Sequence, residues 1–250
     1  MQMMQTRRRF LARLSGIGAA GMLRTPALAA EGPLETTTVR FANAPQFCAA
    51  PKFVAEELLR AEGFTDIRHL DLLPPDTPVR MVARGEADFN PSYAVSLIAD
   101  LDAGAALTVL AGVHVGCTEL FVHEPIRGIG DLKGKSVGVL ALRSPSHLLL
   151  TLMAAHVGLD PSTDIRWVTS SSPKPIELFA DGKIDAVLAV APEPQQLRAR
   201  NIGRVIVDTA LDHPWSQYFC CMLTGNREFV RRYPNATKRV LRARAAPCNG

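Results

Sequence analysis

Ser144-Pro145-Ser146-His147 is the stretch best equipped for chemistry. It stands between a β-rich run, Ser136–Leu140, and an apolar run that continues to Val157. Ser at an N-cap with Pro at the first helical position is a helix-start pattern. A helix that begins this way leaves backbone N–H groups directed outward with partial positive charge, which suits an anion or a polar head group. Ser144, Ser146 and His147 are therefore candidate ligand contacts; the same residues also read as an ordinary cap with a surface histidine. Asn90 and Tyr93 follow a short strand and offer a hydrogen bond and a stacking surface, or else are turn residues. Gln46 and Phe47 sit in the loop after the first strand. Glu193 lies between Pro192 and Pro194. A carboxylate there would favour an amine or protonated ring over an anion, because like charges in an enclosed site are costly. It reads equally as a surface glutamate in a connecting loop. Trp215 and Tyr218 either wall a cleft or fill a core.

Other chemistries lack their residue patterns. The six histidines are dispersed without metal-ligand spacing. The sequence holds no G-x-S-x-G, no phosphate-binding P-loop and no supported Ser/His/Asp order. The reading is a protein that is not an enzyme, with no catalytic residue, no metal and no cofactor.

The candidate residues need elements to hold them. Thr38–Ala42 alternates like a strand, and a helix follows over Lys52–Glu62. Strand, helix and strand then recur at Ile67–Leu72, Val79–Arg84 and Ala87–Phe89, with the loop Asn90–Tyr93 and the helix Ala94–Ala103. After Pro125 the pattern restarts with Ser136–Leu140, the helix Ser146–Val157, Ile165–Val168, the helix Ile176–Ala180, Ile184–Val190 and the helix Gln195–Arg200. Arg84-Gly85-Glu86-Ala87-Asp88 and Asp181-Gly182-Lys183-Ile184-Asp185 occupy matching places 97 positions apart. Such alternation implies α/β lobes with mostly parallel sheets and helices on both faces. Ligands in such sheets bind beyond the carboxyl ends of the strands. The loops Asn43–Cys48, Asn90–Tyr93, Arg143–His147 and Ala191–Pro194 lie there, so two facing lobes would enclose a cleft.

The first residues have a separate purpose. Thr6-Arg7-Arg8-Arg9-Phe10-Leu11 precedes the weakly apolar run Leu14–Leu23, and Ala27-Leu28-Ala29 supplies a small-residue cleavage site. These are the parts of an export signal with a twin-arginine pair. The apolar run is too short to span a bilayer, which takes about 20 residues. Residues 1–30 thus read as a cleaved leader. Five of the 28 basic residues belong to it, leaving 23 against 24 acidic. The positive net charge is largely the leader's, and nucleic-acid binding finds no support. The five cysteines form no C-x-x-C, and the compartment outside the cytoplasmic membrane permits disulfides.

Ile126-Arg-Gly-Ile-Gly-Asp-Leu-Lys-Gly-Lys-Ser-Val-Gly-Val, the helix ending at Val157-Gly158-Leu159-Asp160-Pro161, then Gly182, Asp185-Ala186, Glu193-Pro194, Asn226-Arg-Glu-Phe-Val and Tyr233-Pro234 form an ordered set. This set resembles periplasmic substrate-binding proteins of ABC importers, the nitrate/sulfonate/taurine type, a domain family shared with thiamine-pyrimidine synthase-like proteins. The resemblance spans roughly Val39 to Ala243. It implies a two-lobed periplasmic-binding-protein fold that closes by hinge motion on a small molecule. Lobe one would comprise 31–118 plus 219–250, and lobe two 119–218. His114–His123 and Gln217–Thr224 would be two crossover strands lying side by side. That places Cys117 near Cys220 or Cys221, with Cys117–Cys220 the pair carried forward as a possible disulfide. The implied partners are a small-molecule ligand and the permease and ATPase subunits, for a monomer in the periplasm that arrives by the twin-arginine route. The resemblance also implies several helices after Pro234, where this chain offers one Arg/Lys-rich helix and a shortened cover for lobe one. The enzyme alternative is a pyrimidine-forming synthase of the same domain family. That group carries a longer cysteine run than Tyr218-Phe219-Cys220-Cys221.

Overall fold

The computed structural model describes residues 32–43, 51–72, 77–172 and 174–245. The leader, Gln46, Phe47, Cys48 and Cys248 lie outside them. The described residues from Glu35 onward form one compact unit. Its first stretch contains β1 (Thr38–Ala42), α1 (Pro51–Ala61), β2 (Asp66–Leu70), α2 (Pro78–Ala83), β3 (Phe89–Tyr93), α3 (Ala94–Asp102) and β4 (Leu107–Val115). The second contains β5 (Thr118–Val122), β6 (Ser136–Val139), α4 (Pro145–His156), β7 (Arg166–Thr169), α5 (Pro175–Ala180), β8 (Ala186–Val190), α6 (Glu193–Ala199) and β9 (Arg204–Asp208). The chain then returns through β10 (Phe219–Asn226), α7 (Arg227–Arg232) and α8 (Pro234–Ala245).

Two five-stranded sheets result, ordered β2-β1-β3-β10-β4 and β7-β6-β8-β5-β9. The α/β arrangement in two lobes is as expected, and in each sheet four strands run one way with a single strand reversed. In each, the first three strands run parallel and the last two pairings are antiparallel. The cause is the crossover. The fourth strand of each sheet, β10 or β5, has just arrived from the other lobe and enters its sheet in the reverse direction. The long run His114–His123 is consequently two strands. Gly116 and Cys117 turn the chain between β4 and β5, which belong to different sheets. Asn90–Tyr93 is no loop either; it is most of β3, clamped by the late-arriving β10 with Asn90 opposite Thr224 and Tyr93 opposite Cys221.

Burial on both faces follows the two-residue period of a strand. Along β5, Leu120 and Val122 join a core with Val137, Val139, Leu150 and Met153. Phe121 between them points to the opposite core, with Phe179, Val187 and Leu197. Lobe one buries Ala42, Val79, Val82, Leu97 and Leu107 on one side. Among its other buried groups, Phe89 meets Phe229 edge-on at 5.2 Å. The basic helix α8 turns Ala236 and Val240 inward. Its first N–H groups, of Asn235 and Ala236, donate to the Glu35 carboxylate at 2.9 Å each.

The sequence echo at 97 positions is a structural one. Gly85 and Gly182 both adopt positive φ (76° and 69°), and their N–H groups close the preceding helices onto Val82 and Phe179 carbonyls. Asp88 N–H donates to the Arg40 carbonyl at 2.8 Å, and Asp185 N–H donates to the Ser136 carbonyl at 2.9 Å. In return the Asp88 carboxylate accepts the Arg40 N–H and the Asp185 carboxylate the Ser136 N–H, each at 2.7 Å. Each aspartate thus fastens the start of its sheet's central strand, β3 or β8, to the neighbouring β1 or β6. Among the described residues no helix is long and apolar enough to cross a membrane.

Candidate functional site

Helix α4 begins as its residues dictate. Ser144 is extended (φ −64°, ψ 160°), Pro145 takes the first helical position, and the Ser144 hydroxyl accepts the His147 N–H at 3.4 Å. The Ser144 and Ser146 hydroxyls lie 3.2 Å apart. This helix start faces a cleft of about 930 Å³ between the lobes. Lobe one lines the cleft with Tyr93, Val95, Ile98 and Met222, and lobe two with Leu140, Ser144, Ser146, Leu149, Leu152, Lys174 and Glu193. The crossover segments add Thr118, Thr209, Trp215, Tyr218, Phe219 and Cys220. The lining is mostly apolar with few polar groups, the usual make-up of a small-molecule site. Ile98, Leu140, Leu152, Tyr218 and Phe219, all large apolar side chains that stay exposed, border this one space.

Glu193 does not sit in a loop. It opens α6, and its carboxylate accepts the Val190 N–H at 3.1 Å. Burial pushes its carboxyl above the usual range, against the Val190 hydrogen bond and the charge of Lys174. Tyr93, Ser144, Ser146 and Glu193 are thus brought together around the cleft. His147 and Asn90 are not. The His147 ring packs 4.5 Å from Trp167, and its Nδ1 accepts the Arg143 N–H at 3.2 Å. Burial holds its pKa below the ordinary histidine value, and through Nδ1 the ring serves the loop before α4. Asn90 is 1% exposed and donates to the Pro91 carbonyl (2.8 Å) and the Ser92 hydroxyl (3.0 Å). Its place in β3 turns its amide inward, away from a ligand. Gln46 and Phe47 lie outside the described residues.

Phe219, Ile98, Leu140, Leu149 and Leu152 escape a reading of the sequence. Each looks like an ordinary core residue of its own element. The one local sign is Gly112 on β4, where a Cβ would collide with the Phe219 ring. That glycine makes room for an aromatic ring more than 100 residues away in the chain.

At the crossovers, Cys117 and Cys220 are joined in a disulfide with Cα atoms 6.5 Å apart, and Cys221 beside them is buried. His114 stands beside them; among the described residues its ring nitrogens and the two sulfurs form a cluster within 4.8 Å. In the bonded state both sulfurs are committed to each other.

Two lobes of this topology, joined by two crossovers and enclosing a cleft, define the periplasmic-binding-protein fold. The periplasmic aliphatic sulphonate binding protein SsuA from Escherichia coli has this fold, with a TM-score of 0.69, 20% identity, and coverage of 85% of this chain and 72% of that one. The periplasmic nitrate-binding protein NrtA from Synechocystis PCC 6803 gives a TM-score of 0.65 at 16% identity, over 85% of this chain and 61% of that one. The desulfurization enzyme DSZB gives 0.53 at 21% identity, over 83% and 74%. No curated protein matches the chain. The profile of the family described as NMT1/THI5 like matches residues 67–246. The chain belongs to the NMT1/THI5-like family.

Proposed function

We propose that this protein is the solute-binding component of an ABC importer. It captures a small molecule between its lobes and delivers it unchanged to a membrane permease with its ATPase. In this reading residues 1–30 export the chain by the twin-arginine route, and the mature protein works as a monomer in the periplasm. The interlobe cleft carries the proposal: it has the volume of an organic ligand, walls from both lobes, and hinge segments at its back. Family membership and the folds of SsuA and NrtA support it.

The candidate ligands are a sulfonate, nitrate, a taurine-like molecule or a pyrimidine-like ring. The lining favours an organic body over a small hydrated ion, since Ile98, Leu140, Leu152 and Phe219 have nothing to offer nitrate. Polar contacts concentrate on lobe two, where Ser144, Ser146 and Glu193 would receive the head group. Thermal-shift and calorimetric titration with nitrate, taurine, benzenesulfonate and 4-aminopyrimidine tests this. The expected result is saturable binding of an organic member, recovered unchanged, with no response to nitrate. Glu193→Gln should weaken binding of an amine-bearing ligand selectively. The second reading, a synthase-like enzyme of the same family, gains from the likeness to an enzyme; turnover of a bound compound would establish it over capture.

A further inference from the structure

The segment from Thr209 to Cys220 is pinned at both ends to Cys117. At one end the Thr209 hydroxyl donates to the Thr118 carbonyl at 2.8 Å and accepts the N–H groups of Cys117 (3.2 Å) and Thr118 (3.1 Å). Backbones touch beside it: Gly116 is left-handed (φ 50°), and a Cβ there would collide with Ala210. At the other end the link is covalent, Cys220 to Cys117. Between the two ties run Trp215, Tyr218 and Phe219, three aromatic walls of the cleft, and Cys220 itself borders it.

The covalent tie stands where the sheet is weak. The β10–β4 ladder shifts register between Phe219 and Cys221 and again between Cys221 and Met222. Cys220 falls inside that irregularity, so the disulfide holds what the ladder does not. Both cysteines are partly exposed. His114 stands beside the bond, with a ring nitrogen within 4.8 Å of both sulfurs.

We propose that the Cys117–Cys220 disulfide is a redox latch on the ligand cleft. Oxidised, it presses the aromatic segment 209–220 into place; reduced, it releases one end of that segment and weakens capture. In the reducing step, one thiolate of a dithiol attacks a sulfur and breaks the S–S bond. The second thiol of the reagent then resolves the mixed disulfide. Two electrons and two protons pass to Cys117 and Cys220, and the reagent leaves as a cyclic disulfide. The latch regulates the site of the solute-binding reading, and its consequence for ligand capture rests on that reading.

The test compares the full chain with and without dithiothreitol by hydrogen–deuterium exchange. Reduction should speed exchange in 209–220 by about fivefold or more while α1, α5 and α7 keep their protection, as expected for local opening below the global unfolding limit. A Trp167→Phe variant, leaving Trp215 as the sole tryptophan, should show stronger acrylamide quenching on reduction. Cys117→Ser with Cys220→Ser should behave as reduced under both conditions, and Cys221→Ser should respond as the wild type does. Unchanged exchange in 209–220, or a rise spread over the whole chain, overturns the latch. For capture, each compound that binds the oxidised protein in the panel above should bind about 5–10-fold more weakly after reduction, the lower range of site coupling. Equal affinity in both states overturns the regulation. Failure of every compound in the oxidised state counts against solute binding, while the exchange result still decides the latch.

Discussion

The two lobes share one backbone scheme and differ in the side chains that fasten it. In lobe one the buried Asp88 carboxylate meets a guanidinium: Arg40 donates from Nε at 3.2 Å and from Nη2 at 2.6 Å, besides its backbone N–H. In lobe two Asp185 meets a neutral partner, the Ser136 hydroxyl at 2.6 Å. The same place in the repeat therefore carries an ion pair on one side and a hydroxyl on the other. The cleft walls differ likewise. Lobe one presents apolar and aromatic groups, and lobe two adds the hydroxyls of Ser144 and Ser146 and the carboxyl of Glu193. A duplicated scaffold thus leaves each lobe free to specialise; in the proposed function lobe one grips a body and lobe two a head group.

Four substitutions sharpen this contrast. The largest effect belongs to Asp88→Asn, which leaves the part-exposed Arg40 guanidinium with the Gly85 carbonyl but no carboxylate; about 3 kcal/mol of stability should be lost, the upper end for hydrogen bonds between charged groups. The midpoint of a urea transition measures it. Asp185→Asn should cost less, about 1.5 kcal/mol for weakened charge-assisted hydrogen bonds. It should also change the pH profile. Burial pushes the Asp185 carboxyl up, but the Ser136 hydroxyl and N–H outweigh burial and hold it below its ordinary value of 3.8. The stability it adds is present above that value and lost as pH falls through the lowered one. Denaturation between pH 5 and pH 2, a range of roughly one unit above the ordinary value and two below, should show a flatter acid limb for the variant than for the wild type. Equal losses for the two aspartates would mean that charge is irrelevant at this position. The smallest effect is the pair of caps. Thr77→Ala, at α2, and Ser144→Ala, at α4, should each cost about 1 kcal/mol, but only Ser144→Ala should also weaken ligand binding in a calorimetric titration. An equal effect of both on binding would remove Ser144 from the head-group site.

Local grammar was legible wherever a residue's role is decided by its near neighbours. Ser144 and Pro145 announce the start of α4, Gly85 and Gly182 announce helix ends, and the paired aspartates betray the duplication. Asn90-Pro91-Ser92-Tyr93 misleads because its residue types favour turns. Its strand state depends on β10, about 130 positions later, which no local pattern contains. His147 misleads for a related reason. It stands beside a true cleft residue, but one helical position rotates it away from the cleft toward Trp167. Phe219 looks like sheet filling until Gly112 is seen to lie beneath it.

The strand order of the first sheet has a consequence for the chain as it is made. Strand β4 touches no strand of its own lobe except β10. It ends at Val115, and β10 begins at Phe219. Roughly 100 residues must therefore leave the ribosome before β4 acquires its neighbour, about 5–20 s at ordinary synthesis rates. Through that interval Leu107–Val115 is an unpaired apolar edge, open to pairing with another nascent chain. Lobe two waits less: β5 ends at Val122 and its first neighbour, β8, begins at Ala186. The first lobe to be synthesised is the last to be finished, and β4 is where a chaperone holding the nascent chain would have most to protect.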